Sequence, residues 1–268
     1  MMPEMKEFLR NARLLKDHVS TRLRKQAYAI QFPDGLGKRE RSAAAVLFLM
    51  GMHSIDPNKP AEPCLIFNQR SQRVRQPGDL CFPGGGLAPY LDGFLAGLLK
   101  LPGLPLSRRA SWPRHNQEGP QPGLPRMLAT GLRESFEEMR LNPFRTSFLG
   151  PMAPVYFQLF DRTIYPMVVW GRGQRHFVPN WEVKRIVIIP LQRFFDPEAY
   201  ASVQAQQLFS FTGKTGAPSR ESFPCLTYEN GEDRELLWGL TYQIVIRFLK
   251  IVFDFNPPHA ATLPGVTT

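Results

Sequence analysis

The stretch RESFEEM, residues 133–139, puts three glutamates into seven residues of a helix predicted over about 126–140. At 100° per residue, its apolar side chains share a face that we expect to be buried, namely Leu128, Leu132, Phe136 and Met139. The glutamates, Glu134, Glu137 and Glu138, lie on the opposite side. Carboxylates at these spacings repel one another by about 0.2–0.5 kcal/mol per pair, and a hard cation such as Mg²⁺ would relieve that repulsion. The helix alone leaves two interpretations open, a solvated surface and a metal site.

A second unusual stretch, CFPGGG at residues 81–86, precedes this helix and follows a predicted strand. Consecutive glycines are expected where the main chain must approach another group closely. Such a turn lets main-chain N–H groups reach an anion or the acidic helix. A strand, a glycine turn and a helix with R-E-x-x-E-E form a much rarer combination than either stretch alone.

The remaining apolar runs predict a mixed sheet covered by helices, with an α/β (α+β) fold class. Strand-like runs occupy residues 43–50, 64–70, 148–160, 162–172 and 185–191, and a hairpin is predicted around Asn230 and Gly231. Further helices are predicted over about 4–28 and 240–254. The predicted organisation is a helical arm docked on the body or on a partner chain, a main domain and a flexible tail, at residues 1–35, 36–255 and 256–268.

The composition narrows the class of protein. The chain has 268 residues and a net charge of +10, with basic residues scattered rather than in one block. This pattern favours an anionic small molecule over a nucleic-acid partner. The three cysteines give neither a disulfide framework nor zinc-ligand spacing. Because no apolar run approaches the roughly 18 residues of a membrane span and the N-terminus is unlike a secretory signal, we expect a soluble cytoplasmic protein with no membrane partner.

The helix and the glycine turn together resemble the Nudix box, G-x5-E-x7-R-E-U-x-E-E-x-G-U. The resemblance implies a Nudix-type α/β/α sandwich that hydrolyses pyrophosphate bonds with Mg²⁺ or Mn²⁺. It also implies that Glu134, Glu137 and Glu138 are metal ligands and that Arg133 orients one of them. These four are therefore the candidate catalytic residues.

A second motif, LIFNQRSQRVRQPGDLCFPGG at residues 65–85, resembles the signature that precedes the box in coenzyme A diphosphatases. This resemblance implies that coenzyme A or an acyl derivative is cleaved to 4′-phosphopantetheine and 3′,5′-ADP. The candidate substrate-binding residues are Arg70, Arg73, Arg75, Gly84 and Gly85. Two alternatives remain open, a pyrophosphatase acting on ADP-ribose or NADH, and an inactive Nudix-fold binding module. A homodimer is a further possibility.

The sequence also departs from the Nudix pattern. A Pro/Gly-rich insertion, predicted over residues 87–125, interrupts the box. Gly86-x5-Asp92 keeps the first spacing of the box, with aspartate in place of glutamate. Arg140 replaces the glycine that would favour the end of the helix. Glu182, just before a predicted strand, is a further candidate acid, and a contribution of Asp92 or Glu182 to the metal site remains open.

Overall fold

The computed structural model describes most of the chain, residues 3–33, 42–56, 58–99, 101, 121, 123–157, 161–204, 222–231, 233–259 and 262–266. The helices are α1 Pro3–Arg10, α2 Ala12–Ala27, α3 Pro89–Leu99, α4 Leu124–Met139 and α5 Gly239–Phe253. The strands are β1 Ala43–His53, β2 Glu62–Arg70, β3 Leu80–Cys81, β4 Gly84–Gly86, β5 Thr146–Pro151, β6 Val155–Phe157, β7 Arg162–Gly171, β8 Val183–Pro190, β9 Tyr200–Gln204, β10 Ser222–Asn230, β11 Asp233–Leu237 and β12 Gly265–Val266. Helices pack on both faces of a mixed sheet, so the predicted α+β fold class is confirmed.

The larger sheet is built around β1, which has neighbours on both of its edges. On one edge β1 runs parallel to β7, with Leu49 opposite Val169. On the other edge its first half pairs antiparallel with β4 and its second half with β2. Strand β2 in turn pairs with β3 and β8, while β7 pairs with β5 and β6. The short glycine strand β4 is thereby inserted beside the centre of the sheet.

The two faces of β1 bury different sets of side chains, because successive residues of a strand point to opposite sides. Phe48 and Met50 belong to the core that includes α2 and α5. Leu47 and Leu49 belong to the core beneath α4. All four side chains are fully buried. Burial of each stabilises the fold by about 1.5–3 kcal/mol.

The N-terminal arm consists of two helices rather than the single helix predicted over 4–28. Asn11 lies between them, and its side-chain oxygen accepts hydrogen bonds from the N–H groups that begin α2. This is the usual role of asparagine at a helix N-cap. Leu15, Val19 and Leu23 of α2 are fully buried. The helix packs on β5 and α5, so the arm docks on the body.

Helix α4 begins two residues before the predicted start, at Leu124, and therefore takes in the end of the predicted insertion at 87–125. Pro125 lies in its first turn, where proline is well tolerated. The insertion also contains α3, which packs against α4. Residues 102–120 lie outside the described part of the chain.

One prediction for α4 was wrong, because Phe136 does not share the buried face. Its side chain is 45% exposed, and the Arg140 guanidinium lies over its ring. Ser135, one residue earlier, is fully buried. A step of 100° per residue places Phe136 at the edge of the buried face when that face is centred near Ser135.

The second, smaller sheet contains β9 to β12. Strands β10 and β11 form the hairpin predicted around Asn230. The predicted run at 148–160 divides into β5 and β6, and its last three residues are outside the described part. In the segment predicted as a flexible tail, β12 pairs in parallel with β9, and the Ser202 N–H donates to the carbonyl of Pro264 at 2.8 Å. So short a strand leaves no periodic signal in the sequence. Among the described helices, none has the length and apolar character needed to cross a membrane.

Candidate active site

The glycine turn lies between the central strand β1 and helix α4. A Cβ atom on Gly84, which has φ of +154°, would lie 2.2 Å from the carbonyl oxygen of Ala45. A Cβ atom on Gly85 would lie 2.5 Å from the Glu134 carboxylate carbon. Both distances are far below ordinary van der Waals contact; at Gly84 the obstacle is backbone, so only glycine fits there, whereas a side chain at Gly85 would displace the end of Glu134. The turn therefore brings main chain directly against one of the predicted metal ligands.

Arg133 connects the glycine turn to two glutamates. Its Nη1 donates to Glu134 Oε1 at 3.0 Å and lies 3.3 Å from Glu137 Oε2. Its Nη2 donates to the carbonyl of Gly86 at 3.0 Å. The side chain is only 11% exposed. Although burial opposes its charge, the hydrogen bond to Asp92 and the neighbouring glutamates raise the pKa of Arg133. One guanidinium thus places the carboxylates of Glu134 and Glu137 side by side.

Asp92 anchors Arg133 from the opposite side. Its carboxylate is fully buried and accepts from Arg133 Nε at 2.8 Å and Nη2 at 3.2 Å. It also accepts from the Thr130 hydroxyl at 2.8 Å and the Ala88 N–H at 2.7 Å. The spacing Gly86-x5-Asp92 therefore has a structural meaning. Since the Asp92 oxygens are occupied by these donors, we infer that Asp92 supports the site by holding Arg133.

Glu138 is the most buried of the three glutamates. Its Oε2 accepts from Asn68 Nδ2 at 2.8 Å and from the Gly84 N–H at 3.2 Å. Burial raises the pKa of Glu138 to about 8, and the negative charge of Glu134 adds to the shift. The charge of Glu182 acts in the same direction. Burial also raises the pKa of Glu134, against the effect of Arg133. The negative charge of this cluster therefore exceeds the positive charge that the described residues supply to it.

The residue types in this cluster fit a hard divalent cation. Carboxylate and amide oxygens are the ligands that Mg²⁺ and Mn²⁺ accept. Asn68 Oδ1, buried beside Glu138, has no hydrogen-bond partner among the described residues, and water held by a cation would supply donors to it. Within the described part, no three acidic, histidine or cysteine side chains already converge as metal ligands would. The Glu137 side chain is 51% exposed and forms an ion pair with Arg133. The ligand set of Glu134, Glu137 and Glu138 thus stays a prediction that the chemistry of the donors supports.

A cavity of about 450 Å³ lies behind the glycine turn. Gly84 and Gly85 form part of its wall, and the predicted Arg70 and Arg75 line it. Arg70 Nε donates to the carbonyl of Arg75 at 2.7 Å, which fixes the loop between them. Arg73, the third predicted arginine, is exposed and is not among the lining residues. The cavity is therefore cationic on the side where two of the three predicted arginines lie.

Three further residues of the cavity were not predicted from the sequence as binding residues. Arg162 begins β7 and lies beside the turn, with Nη1 3.3 Å from where a Cβ on Gly86 would be. The Trp238 indole N–H donates to Asp79 at 2.9 Å. Burial raises the pKa of Asp79 to about 6, although the Trp238 N–H and the charge of Arg70 oppose this. No local motif marks Arg162, because the pairing of β7 with β1 brings it to the turn.

Two curated proteins are similar in sequence to this chain, whereas no family model matches it. The peroxisomal coenzyme A diphosphatase NUDT7 of Mus musculus is 25% identical over 199 residues, which are 72% of this chain and 65% of that protein. Nudix hydrolase 22, chloroplastic, of Arabidopsis thaliana is 26% identical over 140 residues, which are 51% of this chain and 43% of that protein. The chain resembles the Nudix hydrolases. It spans less than two thirds of the length of either relative.

Among solved structures, a Nudix hydrolase from M. smegmatis, RenU, overlaps 58% of this chain and 74% of its own, at 16% identity and a TM-score of 0.36. A Nudix hydrolase from Alicyclobacillus acidocaldarius overlaps 58% of this chain and 82% of its own, at 15% identity and a TM-score of 0.37.

The names of the two curated relatives give different compartments, peroxisomal and chloroplastic. The cytoplasmic location of this chain therefore stays a prediction.

The Nudix-like pattern of this chain is divided in sequence, and its two halves meet in space. Its first half ends on α3 with Asp92, its second half begins on α4 with Arg133, and these two residues form the buried ion pair. At the end of α4, Arg140 adopts the left-handed conformation with φ of 55°, and its N–H closes the helix on Phe136 and Ser135 carbonyls. The backbone thus keeps the conformation that favours glycine, with arginine in its place.

Proposed function

We propose that the chain is a divalent-cation-dependent Nudix pyrophosphatase that cleaves a nucleoside diphosphate derivative. The favoured substrate is coenzyme A or an acyl-coenzyme A, with 4′-phosphopantetheine and 3′,5′-ADP as the products of the free coenzyme. Mg²⁺ or Mn²⁺ would be held by Glu134, Glu137 and Glu138. The similarity to the mouse coenzyme A diphosphatase and the signature at residues 65–85 support this substrate class.

The arrangement that carries the proposal is the position of the glycine turn between the acid cluster and the cavity. Glu134 packs against Gly85, and Glu138 accepts the N–H of Gly84. The same two glycines form part of the cavity wall. A diphosphate at this end of the cavity would therefore lie next to the carboxylates. The small size of glycine permits this approach on both sides of the main chain.

The chain's own residues divide the chemical work. When bound, the cation supplies positive charge that polarises the phosphate oxygens and makes water easier to deprotonate. Arg133 keeps the carboxylates of Glu134 and Glu137 together on one face of α4. Burial raises the pKa of Glu138 to about 8, and the positive charge of a bound cation would favour its carboxylate form, in which it can accept a proton from the attacking water. Arginines that line the cavity would bind phosphates away from the cluster.

Product analysis on a panel of substrates tests the proposal. Coenzyme A, an acyl-coenzyme A, ADP-ribose and NADH are each incubated with Mg²⁺, Mn²⁺ or EDTA, and products are identified by mass. We expect metal-dependent cleavage of coenzyme A or its acyl derivative, abolished by EDTA. Turnover of ADP-ribose or NADH alone would overturn the substrate assignment and leave the reaction class. No metal-dependent turnover on any substrate would overturn the enzyme and leave a binding module.

Glu137→Gln tests the metal site. The Glu137 side chain is half exposed and is bonded to Arg133 alone among the described groups, so the fold should tolerate the change. We expect kcat to fall by at least about 10²-fold, the lower end of the range for loss of a residue that acts on the reacting groups. Glu198→Gln, an exposed glutamate outside the site, is the matched control and should stay within about twofold of the wild type. Near-wild-type rates for Glu137→Gln would contradict the assignment of this residue.

A further inference from the structure

Asn68 is a buried amide in β2 that faces the acid cluster. It is 1% exposed, and the backbone around it pairs with β3 at Cys81 and with β8 at Ile186. Strand pairing on both edges fixes the direction in which its side chain points. Nδ2 donates to Glu138 Oε2 at 2.8 Å, while Oδ1 has no partner among the described residues.

Packing alone does not account for an amide at this position. A buried polar atom without a partner costs about 1–3 kcal/mol, and an apolar side chain of similar shape would avoid that cost. Apolar side chains lie on the same face of the sheet, including Ile66 of the same strand and Ile186, the partner of Asn68 on β8. The observation that distinguishes Asn68 is its hydrogen bond to Glu138.

Glu138 is held through one oxygen. Both described donors, Asn68 Nδ2 and the Gly84 N–H, bond to Oε2, and no bond to Oε1 occurs among the described residues. The charges of Glu134 and Glu182 act on this carboxylate with the same sign as its own. Like charges favour a rotation that separates them. Two donors on one oxygen oppose that rotation and keep Oε1 available.

We propose that Asn68 is a positioning residue, which holds Glu138 by Oε2 so that Oε1 is presented to the cation or to the attacking water. The inference rests on the proposed function, in which Glu138 belongs to the metal site. In this scheme Asn68 contacts neither the substrate nor the cation. Its contribution is to the orientation of another ligand, as outer-shell hydrogen bonds to metal ligands commonly provide.

Two variants of equal shape isolate the hydrogen bond. Asn68→Thr replaces the amide donor with a hydroxyl donor on a shorter side chain. Asn68→Val has a methyl group in place of that hydroxyl and therefore no donor. Both residues suit a strand. Gln69→Leu is the matched control, because Gln69 is another buried amide of the same strand, and its Nε2 donates to Glu235 instead of Glu138. Circular dichroism and urea unfolding establish that each variant folds, and Asn68→Leu, which fills the space better, replaces the valine variant if that one does not.

The first measurement is the affinity for Mn²⁺ alone, from the electron paramagnetic resonance signal of the free ion. We expect Asn68→Val to bind Mn²⁺ about 10- to 100-fold more weakly than the wild type, the range found for loss of an outer-shell partner. Asn68→Thr should recover part of this loss, and Gln69→Leu should stay within about twofold of the wild type. In turnover assays with Mg²⁺, kcat should fall in the same order with KM little changed, because the cavity residues are untouched.

The outcomes separate this inference from the proposed function. If the wild type binds Mn²⁺ and turns over but the valine and threonine variants match it, the positioning role of Asn68 is wrong and the proposed function stands. Equal losses in valine, threonine and the Gln69→Leu control would assign the effect to core packing and would also overturn the role. A wild type that neither binds Mn²⁺ nor hydrolyses any substrate would overturn both.

Discussion

One methyl group added at Gly85 would push on the acid cluster without forcing the backbone. Gly85 is not among the residues with positive φ, so alanine can adopt its conformation. The added Cβ would lie 2.5 Å from both the Cδ and Oε1 atoms of Glu134, where ordinary contact begins at 3.4 Å. The Glu134 side chain must therefore move by about 0.9 Å, the difference between those two distances. Because Arg133 holds this carboxylate, the guanidinium is displaced with it.

A displacement of this size sets the expected loss of rate. Misplacing a reacting or binding group by about 1 Å costs about 10²-fold, which corresponds to about 2.7 kcal/mol of transition-state stabilisation. We expect Gly85→Ala to lower kcat about 100-fold, with KM for the substrate within about threefold of wild type. The free energy of unfolding should fall by no more than about 1–3 kcal/mol, as for other overpacked positions.

Steady-state kinetics with Mg²⁺ and urea unfolding of the same preparation check this prediction. Gly86→Ala is the matched control, because its Cβ would meet only the flexible end of Arg162, at 3.3 Å. Gly84→Ala marks the other extreme, since its Cβ would lie 2.2 Å from the backbone oxygen of Ala45 and must disrupt β4 itself. Wild-type kcat in Gly85→Ala, with the control unchanged, would refute the link between turn, Glu134 and catalysis.

Two further predictions concern stability. Asp92→Asn should lower the free energy of unfolding by about 3–5 kcal/mol, because it leaves the buried Arg133 without its main counter-charge. Asp254→Asn, which breaks an exposed ion pair, is the control and should cost less than about 1 kcal/mol. Equal urea midpoints for the two variants would contradict this prediction. Burial raises the pKa of Asp79 from 3.8 to about 6, so between about pH 4 and 6 the folded chain holds a proton that the unfolded chain has released, and stability falls as pH rises through that window. Asp79→Asn should flatten this dependence and raise stability at pH 7 by on the order of 2–3 kcal/mol, measured by urea unfolding across pH 4–7, and an unchanged pH dependence would show that Asp79 keeps its ordinary pKa.

The sequence predicted those elements whose burial is regular. The run at 43–50 is apolar at every position, and it became the central strand β1, buried on both faces. The acid side of α4 was separated from its apolar side by helical geometry alone. Phe136 was misplaced because α4 is covered from two directions, by the sheet and by α3, which shifts the centre of its buried face toward Ser135. A single amphipathic pattern does not encode a second covering element.

The cavity could be predicted only in part. Arg70 ends β2 and Arg75 follows it in a recognisable motif, so the sequence could predict that both lie near the turn. Arg162 reaches the same cavity through the pairing of β1 with β7, and Trp238 reaches it with a hydrogen bond to Asp79; both are contacts between residues distant in sequence. Asn68 was hidden for a related reason, since an alternating or apolar strand pattern gives no sign of which amide will meet a carboxylate of a helix 70 residues away.

The insertion that interrupts the Nudix-like pattern includes the connection between α3 and α4, and its effect also depends on contacts between residues distant in sequence. A longer connection between two helices costs little, because each doubling of loop length adds only about 0.6 kcal/mol of closure entropy. What the site requires is that Asp92 meet Arg133. The packing of α3 on α4 brings them together, and Asp92 accepts four hydrogen bonds, from Ala88, Thr130 and Arg133. An insertion at this point therefore changes chain length between the two halves without moving the groups that orient Glu134 and Glu137. It follows that shortening the link while keeping α3 should preserve the cluster, whereas removing α3 should release Arg133 and with it both glutamates.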